Sequence, residues 1–113
     1  MSNDAVVAQL GLQLPPGTRI IGASASTDGD GQIRAKLEMP AALVPGFVAK
    51  ANIPGLEDAD ADLLGPDEGF WDPHRAAALR YGQTQVSGAR FLHVAIDDAR
   101  PQTAVVYVML HGT

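Results

Sequence analysis

Residues 33–39 constrain the fold more than any other part of this chain. Ile33, Ala35, Leu37 and Met39 alternate with Arg34, Lys36 and Glu38, a strict period of two. Successive side chains of a strand point to opposite faces, so this segment is expected to bury one face of a sheet and turn a charged face to water. Pro40 withdraws a backbone donor and ends the run. A lone strand is not stable, so the rest of the sequence must supply partners.

Two hairpins follow from that requirement. Thr18–Ser26, small and β-branched, reads as the first strand, and Thr27-Asp28-Gly29-Asp30-Gly31 has the glycines and aspartates of a tight turn leading into residues 33–39. Near the other end, Arg90–Asp97 sets Leu92, Val94 and Ile96 on one face and Phe91, His93 and Ala95 on the other. Thr103–His111 is apolar on both faces, as a central strand covered on both sides should be. A turn centred near residue 100 would set Val94 opposite Val106 and Leu92 opposite Val108 on an aliphatic face. The reverse face would pair Phe91 with Met109, His93 with Tyr107 and Ala95 with Val105.

Three short helices complete the expectation. Asn3 or Asp4 can cap one over Ala5–Leu10, with Gly11 as its left-handed stop. Leu14-Pro15-Pro16-Gly17 then interrupts regular structure. A second helix runs from Val44 to Asn52, where Leu43, Phe47, Val48 and Ala51 form an apolar stripe. From Leu56 to Ser87 periodicity fades, but Asp72-Pro73 followed by residues 74–81 and Gly82 has a cap, a proline at the first turn and a glycine stop, predicting a third helix. The expected architecture is one α+β domain over residues 1–113. It is a four-stranded, mostly antiparallel sheet (β-hairpin, helix, irregular stretch with a short helix, β-hairpin) with helices packed on it.

Composition narrows function mainly by exclusion. With 46% hydrophobic and 19% charged residues, 113 residues suffice for one modest core. Zero cysteines remove disulfides, thiolate metal sites and thiol nucleophiles together, and fit a cytoplasmic protein. No segment reads as a membrane span or secretion signal. A net charge of −5, with only Lys36, Lys50 and scattered arginines as cations, argues against nucleic-acid binding. No nucleophile–base–acid set, phosphate-binding glycine loop or desolvated carboxylate pair stands out, so no catalytic residue, no enzyme activity and no cofactor is expected. Asp58, Asp60 and Asp62 open with calcium-loop spacing, but position six is Leu63 and position twelve is Gly69, which leaves a solvated acidic loop. By the pairing above, His93 and His111 sit far out of register, and His74 has Ala78 one turn on, so no metal site is expected either.

Two surfaces remain. Trp71 and Phe70 are the natural cover for the less aliphatic face of the C-terminal hairpin. One reading has Trp71, His93 and Tyr107 line a shallow ligand pocket with Asp72, His74 and Arg75 at its rim. The plainer reading has Trp71 plug that face over a hydrogen-bonded His93 and Tyr107. The second surface is the acidic run Glu57, Asp58, Asp60, Asp62, Asp67 and Glu68 beside Trp71. Such a run is usually just solvated, yet it could steer and neutralise a basic protein partner, as an immunity-type protein does. An open edge on either N-terminal strand would also permit two copies to pair. Leu14-Pro15-Pro16-Gly17, Met39-Pro40, the helix around Phe47, Trp71-Asp72-Pro73 and Val106-Tyr107-Val108 together resemble small bacterial single-domain proteins of unknown function. That resemblance implies no activity and no site residues.

Overall fold

The computed structural model of the protein describes residues 2–26, 32–88 and 90–112. These residues form a six-stranded sheet in which every pairing is antiparallel. The strands are β1 (Arg19–Ala25), β2 (Ile33–Pro40), β3 (Glu57–Ala59), β4 (Leu79–Ser87), β5 (Arg90–Asp97) and β6 (Thr103–His111), in the order β1-β2-β6-β5-β4-β3. The helices are α1 (Asn3–Ala8) and α2 (Val44–Lys50), with single 3₁₀ turns at Ala41–Leu43, Ala61–Leu64 and Pro73–Arg75. The expected four-stranded α+β fold is therefore corrected to a mostly β fold with only two short helices. None of the described helices is long and apolar enough to cross a membrane.

The correction arises in one place. Residues 72–82 do not form a helix: after the turn Pro73–Arg75 the chain extends at Ala76 and enters β4. Asp72 and Pro73 do start a helical turn, but residues 79–87 gain a full ladder against β5 by extending, and tertiary pairing outweighs local alanine-rich propensity. β3 then adds three residues to the outer side of β4.

The other elements follow their sequence cues closely. Ser2 rather than Asn3 or Asp4 caps α1, its hydroxyl accepting from the Ala5 N–H at 3.2 Å, and Gly11 lies in the left-handed region at φ 68°. Pro45 occupies the first turn of α2, where a missing N–H costs nothing. The turn over residues 27–31 lies outside the described residues; just beyond it the Ser26 N–H donates to the Gln32 carbonyl at 2.7 Å.

The C-terminal hairpin pairs Val94 with Val108, Leu92 with Leu110 and Ile96 with Val106. The turn thus centres one residue later than expected, and each partner moves by two. A two-residue slip preserves faces, so the aliphatic and aromatic faces stay as read although every individual pairing changes. β6 is buried along nearly its whole length and lies between β2 and β5.

Both faces of the sheet carry a core. On the first, Ile33, Ala35, Leu37 and Met39 join the aliphatic residues of β5 and β6 under α1, α2 and Ile53. On the second, Leu79, Ala95, Val105, Tyr107 and Met109 lie under Leu64 and Trp71, carried by a strap formed by residues 60–76. Arg34, Lys36 and Glu38 point to this second face and are half-buried, not in open water as their alternation suggested.

Candidate functional site

The strap is held down by its tryptophan. Trp71 is 1% exposed; its indole N–H donates to the Leu64 carbonyl at 2.9 Å, and its ring meets Tyr107 edge-on at 5.4 Å. Glu68 and Trp71 exchange two backbone hydrogen bonds across a tight turn whose Gly69 has φ 59°, a conformation that a residue with a Cβ adopts only with strain. Gly22 on β1 gives room for the neighbouring Phe70, whose ring lies 2.4 Å from where a Cβ would stand.

Around Trp71 the charged face of β2 is put to use. The Lys36 ammonium and the Tyr107 hydroxyl both donate to Asp72 Oδ1 at 2.8 Å, and Lys36 also lies 5.7 Å from the centre of the Tyr107 ring. Burial works against ionisation of Asp72, but the Lys36 and Tyr107 hydrogen bonds outweigh it and hold the carboxyl below its usual range. Burial, and then the Asp72 carboxylate, push the Tyr107 hydroxyl well above its ordinary value, so it remains a donor. Arg34 stacks on Trp71 with its guanidinium 5.3 Å from the ring centre.

The expected ligand constellation is split by this geometry. Trp71, Tyr107 and Asp72 come together, and Trp71 and Tyr107 are spent on packing. His93 instead belongs to a neighbouring row on the open part of the same face. Tyr81 hydrogen-bonds His93 Nδ1, and His93 Nε2 lies 2.7 Å from His111 Nε2. His93 and His111 are therefore nearer in register than expected: His93 faces Met109 and His111 faces Phe91, so the two imidazoles meet diagonally. Burial and then His111 lower the pKa of His93. Arg75 is exposed on the turn beyond Asp72.

His74 does something the sequence did not suggest. Its Nδ1 is 2.7 Å from Asp67 Oδ1 and its Nε2 is 2.7 Å from Asp62 Oδ1, while its backbone N–H donates to Asp67 at 3.1 Å. A neutral imidazole has one N–H, so only the imidazolium can donate to both carboxylates. The bonds to Asp62 and then Asp67 raise the His74 pKa. Burial opposes ionisation of Asp67, but the His74 ring and N–H outweigh it and leave that carboxyl below its usual range. A raised folded-state pKa stabilises the fold fully below the unfolded value of about 6.5. The contribution is lost as pH rises through the folded value. NMR titration of the His74 ring is expected to show a midpoint above 6.5, and amide protection across 60–68 should fall over the same interval. In His74→Asn that pH dependence should vanish; its persistence would rule out the clamp.

The acidic run is thus largely ordered by internal partners. Asp58 stands opposite Arg80 in the backbone register of β3 and β4, Asp60 caps the 3₁₀ turn by accepting from the Asp62 N–H at 2.9 Å, and Asp62 and Asp67 grip His74. Asp60 and Asp62 of the calcium-like spacing have separate partners, and no group of three metal-ligating side chains occurs among the described residues. All six acidic side chains nevertheless remain exposed, Glu57 and Glu68 included. At the apex of the turn Leu63 is 57% exposed, the most exposed large apolar side chain described. The participation of Arg34, Lys36, Tyr81 and His111 went unread, although the period of two already set Arg34 and Lys36 on the face that Trp71 covers.

Comparison with known proteins found no matching family model, no matching curated protein and no matching solved structure.

Proposed function

We propose that this is a non-catalytic, cytoplasmic protein-binding domain that presents the strap around residues 57–68 to a basic partner. The observation that carries the reading is Leu63, exposed beside Asp60 and Asp62 on a 3₁₀ turn that the Asp60 side chain caps. An exposed leucine flanked by carboxylates suits docking on a basic surface: burial of the leucine supplies affinity and the carboxylates steer the encounter. Preorganisation by the Asp60 cap, the His74 clamp and the Trp71–Leu64 bond lowers the entropy lost on binding. A partner with a basic rim around an apolar pocket fits this surface. By contrast, a ligand at Trp71 and Tyr107 would have to displace side chains that are already buried against one another.

The test is affinity capture from a lysate of the source organism at about 50 and 500 mM salt, with wild type and Leu63→Ser/Asp62→Asn as baits. A positively charged protein retained by wild type at low salt, weakened at high salt and lost from the variant is expected. Identical capture by both baits would sink the proposal.

A further inference from the structure

Arg34 is paired less well than its burial demands. Of the three arginines in ion pairs, Arg19 and Arg80 have side chains 73% and 41% exposed, with carboxylates at 3.4 and 2.8 Å. The Arg34 side chain is only 20% exposed, yet its carboxylate partner among the described residues, Glu68, lies 4.0 Å away, beyond hydrogen-bond reach, and is itself 82% exposed. The Nε atoms of Arg34 and Arg80 are both buried with no hydrogen-bond partner, but Arg80 also has a carboxylate at 2.8 Å and Arg34 does not. A guanidinium taken out of water this far normally recovers its hydration through several charge-assisted bonds. Stacking on Trp71 recovers part and leaves the N–H fork unspent.

That fork borders a cavity of about 290 Å³ at the end of β1, lined by Ser24, Ala25, Ser26, Gln32, Arg34 and Glu68. Its walls offer a hydroxyl at Ser24 and the Gln32 amide, which spends one N–H on the Met109 sulfur at 3.1 Å. We propose that this cavity binds a small oxyanion, a carboxylate or a phosphoryl group, with Arg34 as its anchor and Glu68 as an internal competitor. A planar guanidinium takes two oxygens of such a group side by side, which an ammonium cannot do. Glu68 stands on the solvent side with a long contact, so an incoming oxyanion displaces a weak bond rather than a strong one. The net charge of −5 opposes anions at long range and keeps the affinity modest. This site shares Glu68 with the acidic surface around Leu63, but its anchor is Arg34, so the two proposals are tested independently.

Trp71 is the only tryptophan, and Arg34 lies on its ring, so its fluorescence reports the site directly. Wild-type protein is titrated with sodium phosphate and with sodium acetate, each against sodium chloride at matched ionic strength, and the Arg34 Nε–H resonance is followed by NMR. A saturable change, half complete on the order of 1 mM, is expected with at least one oxyanion and not with chloride. Saturation by phosphate alone assigns a phosphoryl group, and by acetate alone a carboxylate. Arg34→Lys keeps the charge and should weaken binding at least about tenfold. Glu68→Gln removes the competitor and should tighten it about threefold. Absence of saturation with both anions overturns the proposal, as does unchanged affinity in Arg34→Lys or in Glu68→Gln.

Discussion

Trp71→Ala should remove about 3–5 kcal/mol of folding free energy, a large part of the 5–15 kcal/mol typical of a domain. The side chain is 1% exposed and is the largest apolar group on the second face of the sheet. Truncation leaves a cavity over Tyr107 and strands the Leu64 carbonyl that the indole satisfies. Trp71→Phe keeps most of the volume and loses only the hydrogen bond, so a cost of about 1–2 kcal/mol is expected. Urea unfolding of the three proteins provides the comparison. A loss below about 1.5 kcal/mol for Trp71→Ala would mean that the strap contributes little to the core.

Gly82→Ala should cost about 3 kcal/mol, the upper end of what overpacking usually does. A Cβ at Gly82 would stand 2.4 Å from the Gly55 carbonyl oxygen and 2.5 Å from Ile53 Cγ2. Ile53 is buried in the first core, so the segment crossing β4 here cannot simply lift away. Gly46→Ala is the natural control: it lies in α2 with nothing within 4 Å of its Cβ position. There, alanine should stabilise by about 0.5–1 kcal/mol through helix propensity. Equal midpoints for the two variants in thermal denaturation would contradict the close crossing at β4.

The same glycine explains why part of the fold was not legible. In a sequence, Gly82 after Asp72-Pro73 and three alanines looks like a helix stop; in space it is where a neighbouring chain passes over a strand. β4 lacks the usual strand signature because Gln83 and Gln85 face the open end of the second side, and its alternation is polar against polar. β2 and β5 could be read because burial wrote itself into their alternation, and β6 because it is apolar on both faces. The hairpin faces were right even with the pairings off by two, since the slip was even. The site was less legible for a related reason. That Trp71 would cover the Tyr107 face follows from there being one tryptophan and one uncovered aromatic face. The His74 clamp and the loosely paired Arg34 depend instead on how the strap folds back on itself, which residues 56–76 do not announce through any period.

The order of the strands also sets a schedule for the chain as it is made. β6 lies between β2 and β5, so β2 waits about seventy residues for its inner neighbour, Leu110 closing on Ile33. Until residues 103–111 have emerged from the ribosome, β2 lacks the partner of its inner edge, and Leu37 lacks Val106 opposite it. The inner ladder of β2 therefore forms only after β6 has been made. A nascent chain halted before residue 103 would display sticky, unpaired backbone to chaperones and to its neighbours on the same message.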